Sequence, residues 1–192
     1  VARAGFVERA EAVMAAGGVH VALHLRVHAA TGRALYELAA RLAALARETG
    51  SLLLVNDRVD VALAAGAHGV QLGRRSISIA DARRLVGKIL IGASVPDERE
   101  GREAAEAGAH FLVAGAVYST ATHPDRPGTG SGLIESVAAL GLPVVAIGGV
   151  TPERAGELRQ ARAIGMAAIR GVWDAPSPAG AVQRYIDAWQ SG

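Results

Sequence analysis

The chain predicts an α/β fold, a (β/α)8 TIM barrel, and three observations carry that expectation. Seven short runs rich in Val, Ile, Leu and Ala alternate with Ala/Arg/Glu/Leu-rich stretches whose apolar residues recur at every third or fourth position. The runs do not alternate apolar with polar, as expected of parallel strands buried on both faces. Polar residues gather where the runs end, and a barrel builds its chemistry at the C-terminal ends of its strands.

In chain order, a helical pattern over residues 6–16 leads into a strand at 21–25, and a helix over 32–49 into a strand at 52–55. A helical pattern begins in DRVDVAL, strands follow at 69–72 and 89–91, and helices are expected at 79–86 and 98–107. The strand at 111–117 is followed by an aperiodic segment, 118–131, a helix at 134–140, a strand at 144–147, a helix at 152–160 and a last strand at 165–169. Ala15-Ala16-Gly17, Ala64-Ala65-Gly66 and Glu106-Ala107-Gly108 form an internal echo in which glycine supplies a left-handed helix stop ahead of a strand. Seven strands are one short of a closed barrel, so the first strand is expected ahead of Val1. An open doubly wound sheet is the runner-up, disfavoured because no GxGxxG follows the early strands.

At 192 residues and 51% hydrophobic content, the chain has material for one core, and residues 1–192 read as a single domain. Twenty basic and eighteen acidic residues are interspersed, which argues against nucleic acid as the main partner. The absence of cysteine removes disulfides and thiolate chemistry and suits a reducing cytoplasm. No apolar stretch approaches the roughly 20 residues of a membrane span, and the charged opening VARAGFVERAEAV lacks a signal-peptide core. Assembly as a homo-oligomer stays open.

Period-two spacing puts His24, Arg26 and His28 on one face of a strand and its extension, pointing into the barrel or its mouth. An arginine there engages a phosphate or carboxylate, and a histidine moves protons near neutral pH. Asn56-Asp57 end the second strand; Asp57 has the chemistry either to hold a divalent metal or to cap the next helix. Gln71 and Ser94 stand at further strand ends. Thr120, Thr122 and His123 lie in the long loop, which reads as a binding loop or a surface loop. Gly148-Gly149, joining a strand to a helix, and Ile169-Arg170-Gly171 supply backbone N–H groups for a phosphate, the tight turn alone being the alternative.

HLRVH, LLVNDRVDVAL, GVQLGRRSISIADAR, IGASV, GAVYSTATH, PVVAIGGVTPE and AAIRGVW, in this order, resemble the thiamin phosphate synthase family, including its TenI tautomerase relatives. In the synthase branch the resemblance implies joining a pyrimidine methyl diphosphate to a thiazole phosphate, with Mg²⁺ on the diphosphate. The corresponding positions here are His24, Arg26, His28, Asn56, Asp57, Ser76, Ser94 and His123. His28 and His123 stand where that branch carries lysine, Ser76 where it carries a metal-binding aspartate, and His24 where it carries glutamine. In the tautomerase branch the implied reaction aromatises a carboxythiazole phosphate by moving one proton, with no metal or other cofactor.

The resulting expectation puts the tautomerase first. Gly148, Gly149, Ile169 and Arg170 would hold the phosphate and Arg26 the carboxylate, while Asn56, Gln71, Ser94, Thr120 and Thr122 complete the binding surface. His123, ahead of His28 and His24, would act as general acid or base. The alternatives are a synthase with Asp57 on Mg²⁺ and a non-catalytic phosphate-ligand-binding paralogue.

Overall fold

A computed structural model describes residues 5–27, 29–120 and 128–191. Strands β1 (Ala22–Leu25), β2 (Leu52–Asn56), β3 (Gly69–Leu72), β4 (Leu90–Val95), β5 (Phe111–Ala114), β6 (Val144–Ile147) and β7 (Gly165–Ala167) form one parallel sheet in chain order. Helices α1 (Phe6–Gly17), α2 (Gly32–Thr49), α3 (Val59–Ala65), α4 (Ile79–Val86), α5 (Glu98–Glu106), α6 (Gly132–Ala138) and α7 (Ala155–Gln160) alternate with the strands, and α8 (Arg170–Trp173) and α9 (Pro178–Gln190) follow β7. This is the TIM-barrel-like α/β architecture expected. Among the described residues, β1 and β7 each pair with a single neighbour.

The register assigns the two faces of the sheet. Leu23 pairs with Leu53, Val70 with Ile91 and Leu112 with Val144, and all are buried against the helix layer in two large apolar clusters. The residues between them turn inward: His24 aligns with Leu54, Asn56 with Gln71, and Gln71 with Gly92. Strand alternation thus gives every outward position to the core and leaves the polar groups to the lumen and its mouth. Helix α1 packs along α9, where Val13, Val172 and Val182 form a third small cluster.

Three boundaries differ from the sequence reading. β4 runs to Val95, so Ser94 lies within a strand; Gly92 and Ala93 mask the run because they are small rather than branched. Gly92 is required: a Cβ there would come 2.2 Å from Gln71 Oε1 and 2.2 Å from Phe111 Cζ. β5 stops at Ala114, after which the N–H of Val117 turns to the carbonyl of Ile147 at 2.9 Å. β7 stops at Ala167, because the N–H groups of Val172 and Trp173 both bond the carbonyl of Ile169 and begin a helix there.

The internal echo reaches one residue further than the sequence reading took it. His68 and His110 each follow a Gly-Ala pair, and each accepts through Nδ1 the N–H of the preceding strand, from Leu53 at 3.1 Å and Ile91 at 2.8 Å. The N–H of each histidine returns a bond to the carbonyl of the same residue, at 2.9 and 2.8 Å. Two strand entries are therefore pinned in the same way. Of the three echoed glycines, Gly66 and Gly108 have positive φ, whereas at the first repeat the positive φ falls on Gly18 instead of Gly17.

Candidate active site at the strand ends

A chain of hydrogen bonds crosses the mouth from β1 to the loop after β3. His24 Nε2 lies 3.1 Å from Asn56 Oδ1, and Asn56 Nδ2 donates to Asp57 Oδ2 at 2.6 Å. The other carboxylate oxygen, Asp57 Oδ1, accepts the Ser76 hydroxyl and, at 3.4 Å, the N–H of Gly73. A carboxylate only accepts, so Asn56 must turn its NH₂ to Asp57 and its carbonyl to His24. That carbonyl requires a proton on Nε2 and leaves Nδ1 of the neutral ring with the open lone pair.

The electrostatics agree with a neutral ring. His24 meets solvent at the mouth, but the protein wall around it pushes its pKa below 6.5, and Arg26 pushes the same way against the Asn56 bond and the Asp57 charge. Asp57 itself sits in the left-handed region at φ 59° and holds the carbonyl of Gln71 through its N–H at 3.0 Å. It does not cap α3: the residue at that cap is Arg58, which makes no capping side-chain bond. The aspartate is drawn instead across the mouth to the β3 loop.

The same bonds bear on a metal. Both oxygens of Asp57 are engaged by protein donors, and the Ser76 hydroxyl spends its proton on one of them. A hard divalent cation seeks about six oxygen ligands, yet among the described residues no three His, Cys, Asp or Glu side chains converge. Mg²⁺ usually takes only one or two carboxylates together with substrate phosphates and water, so Asp57 is the residue that would hold it here, by exchanging these donors.

Deeper in the lumen, Gln71 is 2% exposed and donates through Nε2 to Ser94 Oγ at 2.9 Å. Its Oε1 has no partner among the described residues, which leaves a buried acceptor beside the mouth.

On the opposite rim, Gly148 and Gly149 have φ of 98° and 63°. A Cβ on Gly149 would lie 2.6 Å from the carbonyl oxygen of Ser119, so only glycine lets the turn after β6 run this close to the turn after β5. The N–H of Tyr118 bonds the carbonyl of Gly148 at 2.9 Å, and the Tyr185 hydroxyl of α9 bonds the carbonyl of Val150 at 3.0 Å. That phenol also fills the space left by Gly171, where a Cβ would meet its oxygen at 2.3 Å. Ile169 and Arg170 lie exposed at the start of α8, next to this turn in the order of the sheet.

Of the residues expected at the site, His24, Asn56, Asp57 and Ser76 are joined by direct contacts, as are Gln71 and Ser94. Arg26 follows β1 and is exposed, and Thr120 stands half-buried at the start of the long loop. His28, Thr122 and His123, the last being the first-ranked proton carrier, lie outside the described residues. The support from Tyr185 was missed, since nothing local in the sequence ties it to Val150, 35 residues away.

Residues 2–172 match the sequence family described as TMP-TENI, thiamine monophosphate synthase. The chain is 41% identical over 186 residues to a thiamine-phosphate synthase of Natronomonas pharaonis, covering 93% of this chain and 86% of that protein. It is 44% identical over 154 residues to the thiamine biosynthesis bifunctional protein ThiM/ThiE of Symbiobacterium thermophilum, covering 79% of this chain but only 32% of that longer protein. Among solved structures, the thiamine phosphate pyrophosphorylase from Pyrococcus furiosus superposes with a TM-score of 0.88 at 34% identity, covering 96% of this chain and 89% of that one.

Proposed function

Because the chain belongs to the thiamine monophosphate synthase family, we propose that it is a cytoplasmic thiamine-phosphate synthase, joining a pyrimidine methyl diphosphate to a thiazole phosphate. The observation that carries this reading is the 41% identity, sustained over nearly the whole chain, to a protein of that name. It reverses the order reached from sequence motifs, where the tautomerase stood first. In the reaction, the thiazole nitrogen bonds to the pyrimidine methylene carbon as the carbon–oxygen bond breaks and diphosphate leaves with the electron pair. The Gly148-Gly149 turn would hold the thiazole phosphate on backbone N–H groups, and Arg26 would meet the diphosphate. Gln71 Oε1 offers the pyrimidine an acceptor. When Mg²⁺ is bound, Asp57 would hold it, and the ion would neutralise charge on the diphosphate.

A second reading, the thiazole tautomerase, rests on the His24–Asn56–Asp57 chain. Its open Nδ1 is a base that needs no metal: it would take a proton from the carboxythiazole phosphate and return it at a second position, with no net redox change. One pair of assays separates the two. The purified protein receives both synthase precursors, and in parallel the carboxythiazole phosphate isomer alone. Thiamin phosphate in the first supports the synthase, isomerisation confined to the second supports the tautomerase, and tight thiazole-phosphate binding with neither product supports a non-catalytic paralogue.

A further inference from the structure

We propose that Asn56 couples a Mg²⁺ seated on Asp57 to the tautomer of His24: with the ion bound, the Asn56 carboxamide turns over, and the open nitrogen of His24 changes from an acceptor into a donor. The seat on Asp57 rests on the synthase reading, whereas the coupling is a property of these three side chains.

Three observations carry it. First, His24, Asn56 and Asp57 have one self-consistent arrangement without an ion. Asn56 Nδ2 donates to Asp57 Oδ2 at 2.6 Å and its Oδ1 faces His24 Nε2 at 3.1 Å, so the charge of Asp57 sets both the amide direction and the Nε2 proton. Second, the two oxygens of Asp57 are not held alike. Oδ1 takes the Ser76 hydroxyl and the N–H of Gly73, whereas Oδ2 takes only the Asn56 amide and keeps a lone pair. The ion's place is therefore on Oδ2, beside that amide, while the β3 loop steadies the carboxylate. Third, the amide stands at the right distance to join it. A divalent cation on Oδ2 repels N–H groups and draws a carbonyl, and neighbouring oxygens on octahedral Mg²⁺ lie about 2.9 Å apart, close to the 2.6 Å between Nδ2 and Oδ2. Turning the carboxamide over replaces its NH₂ by its oxygen with little movement. The NH₂ then faces His24, so Nε2 must accept and the proton sits on Nδ1 of a ring that stays neutral. His24 makes no other hydrogen bond among the described residues that would oppose the change. Its open nitrogen is thus a base in the free protein and a donor, suited to a pyrimidine ring nitrogen, once the Mg²⁺ of a diphosphate is in place. By linkage, a ligand that accepts from Nδ1 tightens the ion in return.

Long-range proton–nitrogen NMR on the full chain with isotopically labelled histidine, at about pH 8, where imidazole is neutral, reads which ring nitrogen carries the proton; His24→Gln identifies the signals. The probes are Mg²⁺ and inorganic pyrophosphate, so no turnover is read. In the wild type the proton is expected on Nε2 in EDTA and on Nδ1 at saturating Mg²⁺ and pyrophosphate. In Asn56→Asp, whose carboxylate only accepts, it is expected on Nε2 in both states. Calorimetry supplies a second test: Asn56→Leu is expected to weaken Mg²⁺ about tenfold through the lost oxygen ligand. Tighter Mg²⁺ binding in Asn56→Leu would mean that the amide is only pushed aside, and would overturn the proposal. A proton that stays on Nε2 in the Mg²⁺-saturated wild type would overturn it as well, as would the lack of any Mg²⁺ binding that Asp57→Asn abolishes. Thiamin phosphate formed while the His24 proton stays put counts against the coupling alone; a proton that moves in a protein making no thiamin phosphate counts against the synthase reading alone.

Discussion

Ser76 donates its hydroxyl to Oδ1 of Asp57, and the contact ties the loop after β2 to the loop after β3 across 19 residues of sequence. It sets the character of the mouth. A second carboxylate at position 76 would repel Asp57 unless a cation lay between them, whereas a hydroxyl neutralises the need by hydrogen bonding. Everything upstream follows from that bond: Asp57 orients Asn56, and Asn56 fixes the tautomer of His24.

Asp57→Asn replaces one carboxylate acceptor, the Oδ2 that takes the Asn56 amide, by an NH₂ donor, while keeping a residue that tolerates the left-handed φ of 59°. The Asn56 amide loses its fixed direction and His24 its fixed tautomer. Turnover is expected to fall about 10–100-fold, in the range lost with a misplaced polar group, while the melting temperature moves little. Steady-state kinetics beside a thermal melt check this, and an equal loss of folded protein would show that Asp57 is structural only.

Gly149→Ala puts a methyl 2.6 Å from the Ser119 carbonyl oxygen in a backbone with φ of 63°. The left-handed conformation alone costs about 1–2 kcal/mol for a residue with a Cβ. The turn is expected to move outward, raising KM for the thiazole phosphate more than it lowers kcat. Unchanged KM would remove this turn from the phosphate site.

Tyr185→Phe deletes the bond to the Val150 carbonyl while keeping the ring against Gly171. A stability loss of about 1 kcal/mol is expected, the typical net worth of one such bond, with a small rise in KM because the supported turn is the same one. Urea titration reads the first effect and saturation kinetics the second.

Acid is expected to weaken the fold through histidine. The pKa values of His24 and His110 both lie below the ordinary 6.5, through burial first in each case and then through Arg26 and Arg83 respectively. Both are lower in the folded chain than in the unfolded one, so the unfolded chain binds more protons below that value. Their contribution is complete above about pH 6.5 and is lost as pH falls toward the depressed folded values. Unfolding free energies measured from pH 7.5 down to 5 should decline, and His110→Asn, whose oxygen accepts from Ile91 without titrating, should flatten part of the decline.

Much of the fold was legible because strand burial on both faces writes short branched runs such as residues 52–55 and 144–147. Where β4 is built from Gly92, Ala93 and Ser94, the run disappeared, since those positions are chosen for the room they leave Gln71 and Phe111 rather than for bulk. The mouth was legible as a set of strand-end polar residues, but not as a network. Nothing in the order Asn56-Asp57 distinguishes a helix cap from a hub; only the β3 turn, arriving with Gly73 and Ser76, decides it. Tyr185 and the His68–Leu53 pairing were hidden for the same reason, being contacts between segments far apart in sequence.

The central claim is that the glycine turn after β6 holds a thiazole phosphate at the C-terminal mouth. Titration of thiazole phosphate followed by phosphorus NMR tests it most directly, on the wild type, on Gly149→Ala and on His68→Asn at the opposite end of the strands. Saturable one-to-one binding that is lost in Gly149→Ala and kept in His68→Asn is the predicted result. Binding that survives Gly149→Ala unchanged would contradict it.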